Sequence, residues 1–300
     1  MEQKLKQALD ESRLLILGAQ VLFGFALQAA FQQAFPALPP ASRMLHGVAL
    51  LLLLSALALL IAPSTFHQIA CNGDGRRIML RIASGFGAAS LLPLTLGLGL
   101  SIYVSVEHAL GYSIAVAMAA TLTLVGLVLL YGWGLAVRLS APQTPVVQEE
   151  EVTTLPHKID QMLTEARVLL PGAQAMLGFQ LTVTLTESFA KLPDMAKWAH
   201  VAALAAIALC AALLLATAAL HRIGYRGADD PQFFRIGSRL VILATIPLAL
   251  GIAGDVFVVL YKVTERSELA FAVAGAALLL LLALWLAFPI LHRNVSRDNG

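Results

Sequence analysis

Four histidines recur at one spacing: His46 and His67 form one pair and His200 and His221 another, with the members of each 21 positions apart. Paired imidazoles are a residue type that ligates haem iron or a transition metal. Twenty-one residues of helix cover about 31 Å, however, which sets the four rings at opposite ends of their helices, at the headgroup levels. Interfacial caps are therefore predicted, with His67 and His221 bonding the last carbonyls of a helix. Neither pair has a second ligand beside it, so no metal and no cofactor is expected.

Other polar residues sit inside apolar sequence. Gln20 and Gln174 fall about seven residues into their runs, roughly 10 Å deep by helical rise, and Gly24 and Gly178 one turn later would admit a close neighbour. These amides either tie helices together or line a polar pathway. Pro93 and Pro247 each precede a glycine by four residues, Gly97 and Gly251. Such a pair predicts a kink, serving as a packing feature or exposing carbonyls to an ion. Asp255 is the ionisable residue placed well inside a run, six residues before Tyr261. An acid there implies a proton or cation site, or one half of a bonded pair.

Enzyme chemistry is not expected. There is no Ser-His-Asp order, no metal-ligand spacing and no phosphate loop, and Gly97 and Gly99 follow no strand. Cys71 falls in a loop and Cys210 inside a run, so the two cannot form a disulfide.

The elements that must position these residues are set by composition. Only 13% of the 300 residues are charged and 59% are hydrophobic, with a mean hydropathy of +0.80, whereas a soluble domain carries about 25% charge. A net charge of +2 excludes the basic field that nucleic acid requires. The partner is the lipid bilayer. Apolar runs at roughly 14–34, 46–62, 84–105, 112–138, 168–188, 200–217, 238–261 and 267–290 are continuous rather than alternating, which predicts helices and excludes a barrel. The fold expected is an all-α integral membrane protein of eight transmembrane helices. With the amino terminus inside, fifteen of the twenty Lys and Arg fall on the cytoplasmic side and five outside. The positive-inside rule then puts both termini in the cytoplasm of a multi-pass protein of the bacterial inner membrane. The first run resembles a signal peptide, with small residues from Ala37 to Ala41, but Asp10 and Glu11 precede it and it has a counterpart in mid-chain.

That counterpart belongs to a duplication. An offset of 154 residues lays Glu11, Arg13, Gly18, Ala19, Gln20, Gly24 and Phe25 on Glu165, Arg167, Gly172, Ala173, Gln174, Gly178 and Phe179 without a gap. The same offset lays His46 on His200, His67 on His221, Pro93 on Pro247, Gly97 on Gly251 and Ser101 on Asp255. The domains expected are a first four-span repeat at 1–139, an acidic and proline-containing linker at 140–156, and a second repeat at 157–300. An even number of spans gives both bundles one orientation, with a pseudo-symmetry axis along the membrane normal, as fusion of an ancestral homodimer would produce. Each repeat opens on a matched polar segment, Lys4 to Arg13 and Lys158 to Arg167, read as an amphipathic turn or two at the cytoplasmic interface, with a soluble partner-binding helix as the alternative.

The residues Glu11, Arg13, Leu14, Leu15, Gly18, Ala19, Gln20, Gly24 and Phe25, followed by a Leu-rich run ending in Ala62, Pro63 and His67, resemble a bacterial family of small four-span membrane proteins catalogued as a domain of unknown function. Thr217 stands where the second half should have the proline. The resemblance implies a duplicated member and brings no catalytic residue or substrate. Two functions follow from the polar inventory. One is a small transporter or permeation protein for ions, protons or a small solute. The other is a non-catalytic membrane protein that stabilises or regulates a complex, through a membrane-protein partner or as a homo-oligomer. A water-accessible path past Gln20, Gln174 and Asp255 favours the first, and sealed side chains favour the second.

Overall fold

The computed structural model describes residues 2–72, 77–132, 154–226 and 228–292. The side chains of Lys4 to Arg13 and residues 140–153 of the expected linker lie outside the described residues. Among the described residues the chain is helical and has no strand, because backbone amides surrounded by hydrocarbon must bond within their own segment. The long helices are α1 (Glu2–Ala29), α2 (Pro40–Ile69), α3 (Arg77–Leu110), α4 (Tyr112–Leu127), α5 (Leu155–Thr184), α6 (Asp194–Ala219), α7 (Pro231–Thr264) and α8 (Ser267–Leu282).

Among the described residues, six helical stretches are long and apolar enough to cross a membrane: Pro40–Ile69, Arg81–Leu110, Tyr112–Tyr131, Asp194–Gly224, Pro231–Thr264 and Ser267–His292. By length and composition this is a multi-pass membrane protein. Eight such stretches were expected; α1 contributes a shorter apolar one, Leu15–Ala29, and α5 carries Lys158, Asp160, Glu165 and Arg167 along its first half. The polar opening of α5 is also not a separate interfacial turn. It continues unbroken into the apolar half and buries Ile159, Met162 and Glu165 inside the bundle.

The duplication is written into helix boundaries. α2 starts 154 residues before α6, and α3 ends 154 residues before α7. The turn after α3 needs a left-handed residue, supplied by Gly111 at φ 86°; the equivalent position after α7 is Glu265 at φ 58°. Each fourth helix ends in a wide π turn, Val128–Gly132 and Ala283–Ala287.

Inside each half the second and third helices pack most closely, and the glycines explain how. A Cβ on Gly97 would lie 3.2 Å from the Ala49 carbonyl oxygen and 3.1 Å from Leu53, and one on Gly251 would lie 3.1 Å from the Ala203 carbonyl oxygen and 2.5 Å from Ile207. The two sets of neighbours are 154 residues apart. In lipid, where apolar surface has nothing to gain by leaving its solvent, such close approach is the main source of helix association. Both helices continue through Pro93 and Pro247, and Gly97 and Gly251 four residues on mark their contact points.

The joint between the halves does not have the reciprocity of a two-fold relation. In a two-fold interface residue i meets j and the equivalent of j meets the equivalent of i. Here Gly24 abuts the Phe179 ring and Gly172 abuts the Gln20 amide, whereas Gly178 and Gly18 have nothing within 4 Å. α2 packs along α7 and the end of α8, where the Trp285 indole donates to the Ala58 carbonyl at 2.9 Å. α6 makes no comparable contact with α3. Accordingly Ile61 is fully buried while its counterpart Leu215 is 49% exposed. The contact is head-to-tail, one face of the first repeat against a different face of the second.

Gly97→Ala and Gly251→Ala should each destabilise the protein by about 1–3 kcal/mol through overpacking. Gly85→Ala, where no atom lies within 4 Å of the new methyl, should be neutral or slightly stabilising. Thermal unfolding in one detergent compares the three.

Candidate functional site

The two short hairpins between first and second helices hold matched polar ties. Nε2 of His46 lies 2.9 Å from the Ala26 carbonyl oxygen, and Nε2 of His200 lies 3.0 Å from the Gln180 carbonyl oxygen. A carbonyl only accepts, so Nε2 carries the proton and donates in both. Ala26 is among the last four residues of α1, whose carbonyls lack an intrahelical donor, and the imidazole supplies one. Phe35 and Phe189 set their rings edge-on to the histidines at 5.2 and 5.1 Å between centroids.

The sequence predicts interfacial caps here, yet His46 and His200 are only 4% and 2% exposed. Their helices begin six residues earlier, at Pro40 and Asp194, so the rings sit more than a turn inside and face a neighbouring helix. His67 is fully buried in the last turn of α2 and bonds across the joint instead of to a carbonyl of its own helix. His221 lies in the π turn after α6, stacked on Phe233 at 4.6 Å.

Beyond the shared histidine the two hairpins diverge. In the second, the Gln180 amide donates to Asp255 Oδ2 at 2.7 Å, and Asp255 Oδ1 lies 3.9 Å from His200 Nδ1, outside hydrogen-bond range. Asp255 is 2% exposed, and free space beside it amounts to about 10 Å³, closed by Leu27 and Phe31 of the first repeat. In the first, Ala26 and Ser101 replace Gln180 and Asp255, and a cavity of about 540 Å³ opens beside His46, lined also by Ser105 and His108. Asp255 is thus half of a bonded pair in a filled site.

A second cluster spans the joint at the other end of α2. Glu165 of α5, 2% exposed, has Oε1 at 3.1 Å from His67 Nδ1 and accepts from the Gln68 amide on Oε2 at 2.7 Å. The carboxylate therefore ties the second repeat to the first. Gln20 is also fully buried, with neither amide atom bonded, whereas its counterpart Gln174 is exposed. The two glutamines do not line one pathway. They occupy equivalent positions, of which only one is covered by the joint.

Among the described residues no group of three or more His, Cys, Asp or Glu could hold a metal ion. Glu165, Gln68 and Gln180 carry the strongest contacts, and sequence reasoning missed their roles. Glu165 was visible only as a marker of the duplication. Gln180 and Gln68 had no matching residue in the other half, where Ala26 and Arg222 stand, so a search for recurring residues passed over them. Their signal was polarity adjacent to apolar sequence, which many exposed residues share.

These features define a multi-pass helical membrane protein whose buried polar groups tie helices together. The chain belongs to the DUF6328 family, a family of unknown function, which it matches over residues 1–134 and again over 148–289. No curated protein and no solved structure matches it.

Glu165→Ala leaves His67 and Gln68 without their shared acceptor, and Gln180→Ala leaves Asp255 without its donor. Each should cost about 1–3 kcal/mol, the penalty for an unsatisfied buried polar group. Gln174→Ala should be near neutral. Loss of folded fraction in a denaturing-detergent titration ranks the three, and an equal response of Gln174→Ala and Gln180→Ala would contradict the assignment.

Proposed function

We propose that this protein is a non-catalytic membrane protein that acts through lateral contacts in the bilayer, stabilising or regulating a complex. The observation that carries this reading is the sealing of the polar groups a permeation path would use. Gln20 is buried against Gly172, and Asp255 is bonded to Gln180 with room for at most about one water beside it. Gln174 lies on the opposite, exposed surface. A path past all three would have to cross packed helices. Abundant apolar surface on α4, α5 and α6, including Leu124, Leu181 and Leu209 at 63%, 51% and 54% exposure, supplies area for contacts within the membrane.

In this reading α1 and α5 complete eight spans, the two four-helix bundles share one orientation, and the cation distribution sets both termini on the cytoplasmic side of a bacterial inner membrane. The ties at His46, His200 and Glu165 then serve to hold a fixed lateral surface. Transport is the competing function, and the cavity beside His46 is the feature in its favour.

Purified protein in liposomes should carry no proton or sodium flux above that of empty vesicles. A flux that Asp255→Asn abolishes would overturn the proposal.

A further inference from the structure

The contact between the two repeats is one-sided, and its unused halves are both present on the surface. From the first repeat, Leu27 and Phe31 of α1 and the turn after it enter a groove of the second repeat, where they are 4% and 2% exposed. Seven residues of the second repeat line that groove, among them Phe179, Val183, His200 and Asp255. All seven have their counterparts, 154 positions earlier, among the residues lining the open cavity of about 540 Å³: Phe25, Ala29, His46 and Ser101 stand for the four just named. The cavity is the same groove without an occupant. The side chains equivalent to the occupant are Leu181 and Leu185, and they are 51% and 88% exposed.

The match extends along both helices. Where Gly24 receives the Phe179 ring, Gly178 is open, and Phe25, which meets the Phe179 ring at 4.7 Å between centroids, still has 56% of its surface exposed. Where Gly172 receives Gln20, Gly18 is open and Gln174 is exposed. On the packed helices, buried Ile252 has the counterpart Leu98, 39% exposed and lining the cavity. Donor face and acceptor face are thus both left largely uncovered, one on each repeat, and each is complementary to the other by the contact already made inside the molecule.

We infer that a second copy of this chain fills the groove beside His46, seating its Leu181 and Leu185 there as Leu27 and Phe31 are seated beside His200, and that the internal joint is repeated between chains. Head-to-tail contacts of this kind close into a ring when their rotation allows. The smallest such ring holds two chains and four repeats, with α1 and α5 alternating. The inference rests on the lateral-contact reading above and names the partner as self. Replacement of Val259, Val183 and Asp255 by Ser105, Ala29 and Ser101 makes the open groove wider than the filled one, which suits the exchange of Phe31 for Leu185 only with some repacking by both chains.

The test uses the full chain in its native membranes and in mild detergent. Leu185→Cys combined with Ser105→Cys should give oxidation-dependent bands of two or more chains, and neither single variant should. Light scattering should find more than one chain per particle. Gly178→Leu, whose added Cβ has no atom within 4 Å in the isolated chain but whose side chain would strike Phe25 of the next copy, should reduce the particle to one chain that still unfolds cooperatively. A single-chain particle for the unaltered protein, or an association indifferent to Gly178→Leu together with no cross-link, overturns the inference. A single-chain particle that carries no flux removes self-docking and leaves the lateral-contact reading, whereas flux sensitive to Asp255→Asn removes that reading whatever the copy number.

Discussion

The contact of α1 with α5 sets the arrangement of everything else. Two helices in hydrocarbon gain little from burying apolar surface and associate through close packing and through the polar groups they would otherwise leave unpaired. Here Gly24 and Gly172 let the backbones approach, and Glu165 draws His67 and Gln68 onto the start of the second repeat. Because these residues use one face of α1 and a different face of α5, the second and third helices of the two halves cannot meet symmetrically. α2 is enclosed by α7 and α8, and α3 and α6 are left at the flanks.

Duplication followed by divergence explains which polar residues recur and which do not. The histidine ties are kept in both halves, each imidazole donating to a carbonyl near the end of the first helix of its own repeat. Gln180 and Asp255 differ together from Ala26 and Ser101, and the physical reason is that either one alone would be a buried polar group without a partner. The pair fills its pocket in the second half. The same position in the first half is a cavity, and the difference in volume between them follows from whether a neighbouring repeat covers the groove.

In the proposed reading, polarity inside the bundle serves position more than passage. A conducting route needs converging polar groups in contact with water, whereas Asp255 and Gln20 are enclosed by Leu27, Phe31 and Gly172. A lateral role is consistent with the apolar flanks and with the fixed geometry that the buried ties impose on them.

Hydropathy and the 154-residue offset by themselves determined the helical membrane class, the positions of the long helices and the equivalence of the two halves. These are local properties: an apolar stretch must form a helix in lipid whatever surrounds it. The sequence also marked Gly97, Gly251 and the histidines as positions of interest, since the same residues recur. What they touch was not legible. His46 and His67 were placed at interfaces from their spacing alone, and only the extent of α2 and the approach of α1 and α5 showed them to be buried. Gln20 and Gln174 look identical in sequence and differ entirely in burial, because exposure depends on which face the opposite repeat covers. A one-sided joint is a property of two surfaces and of the rotation between them, and no periodicity within either repeat encodes that rotation.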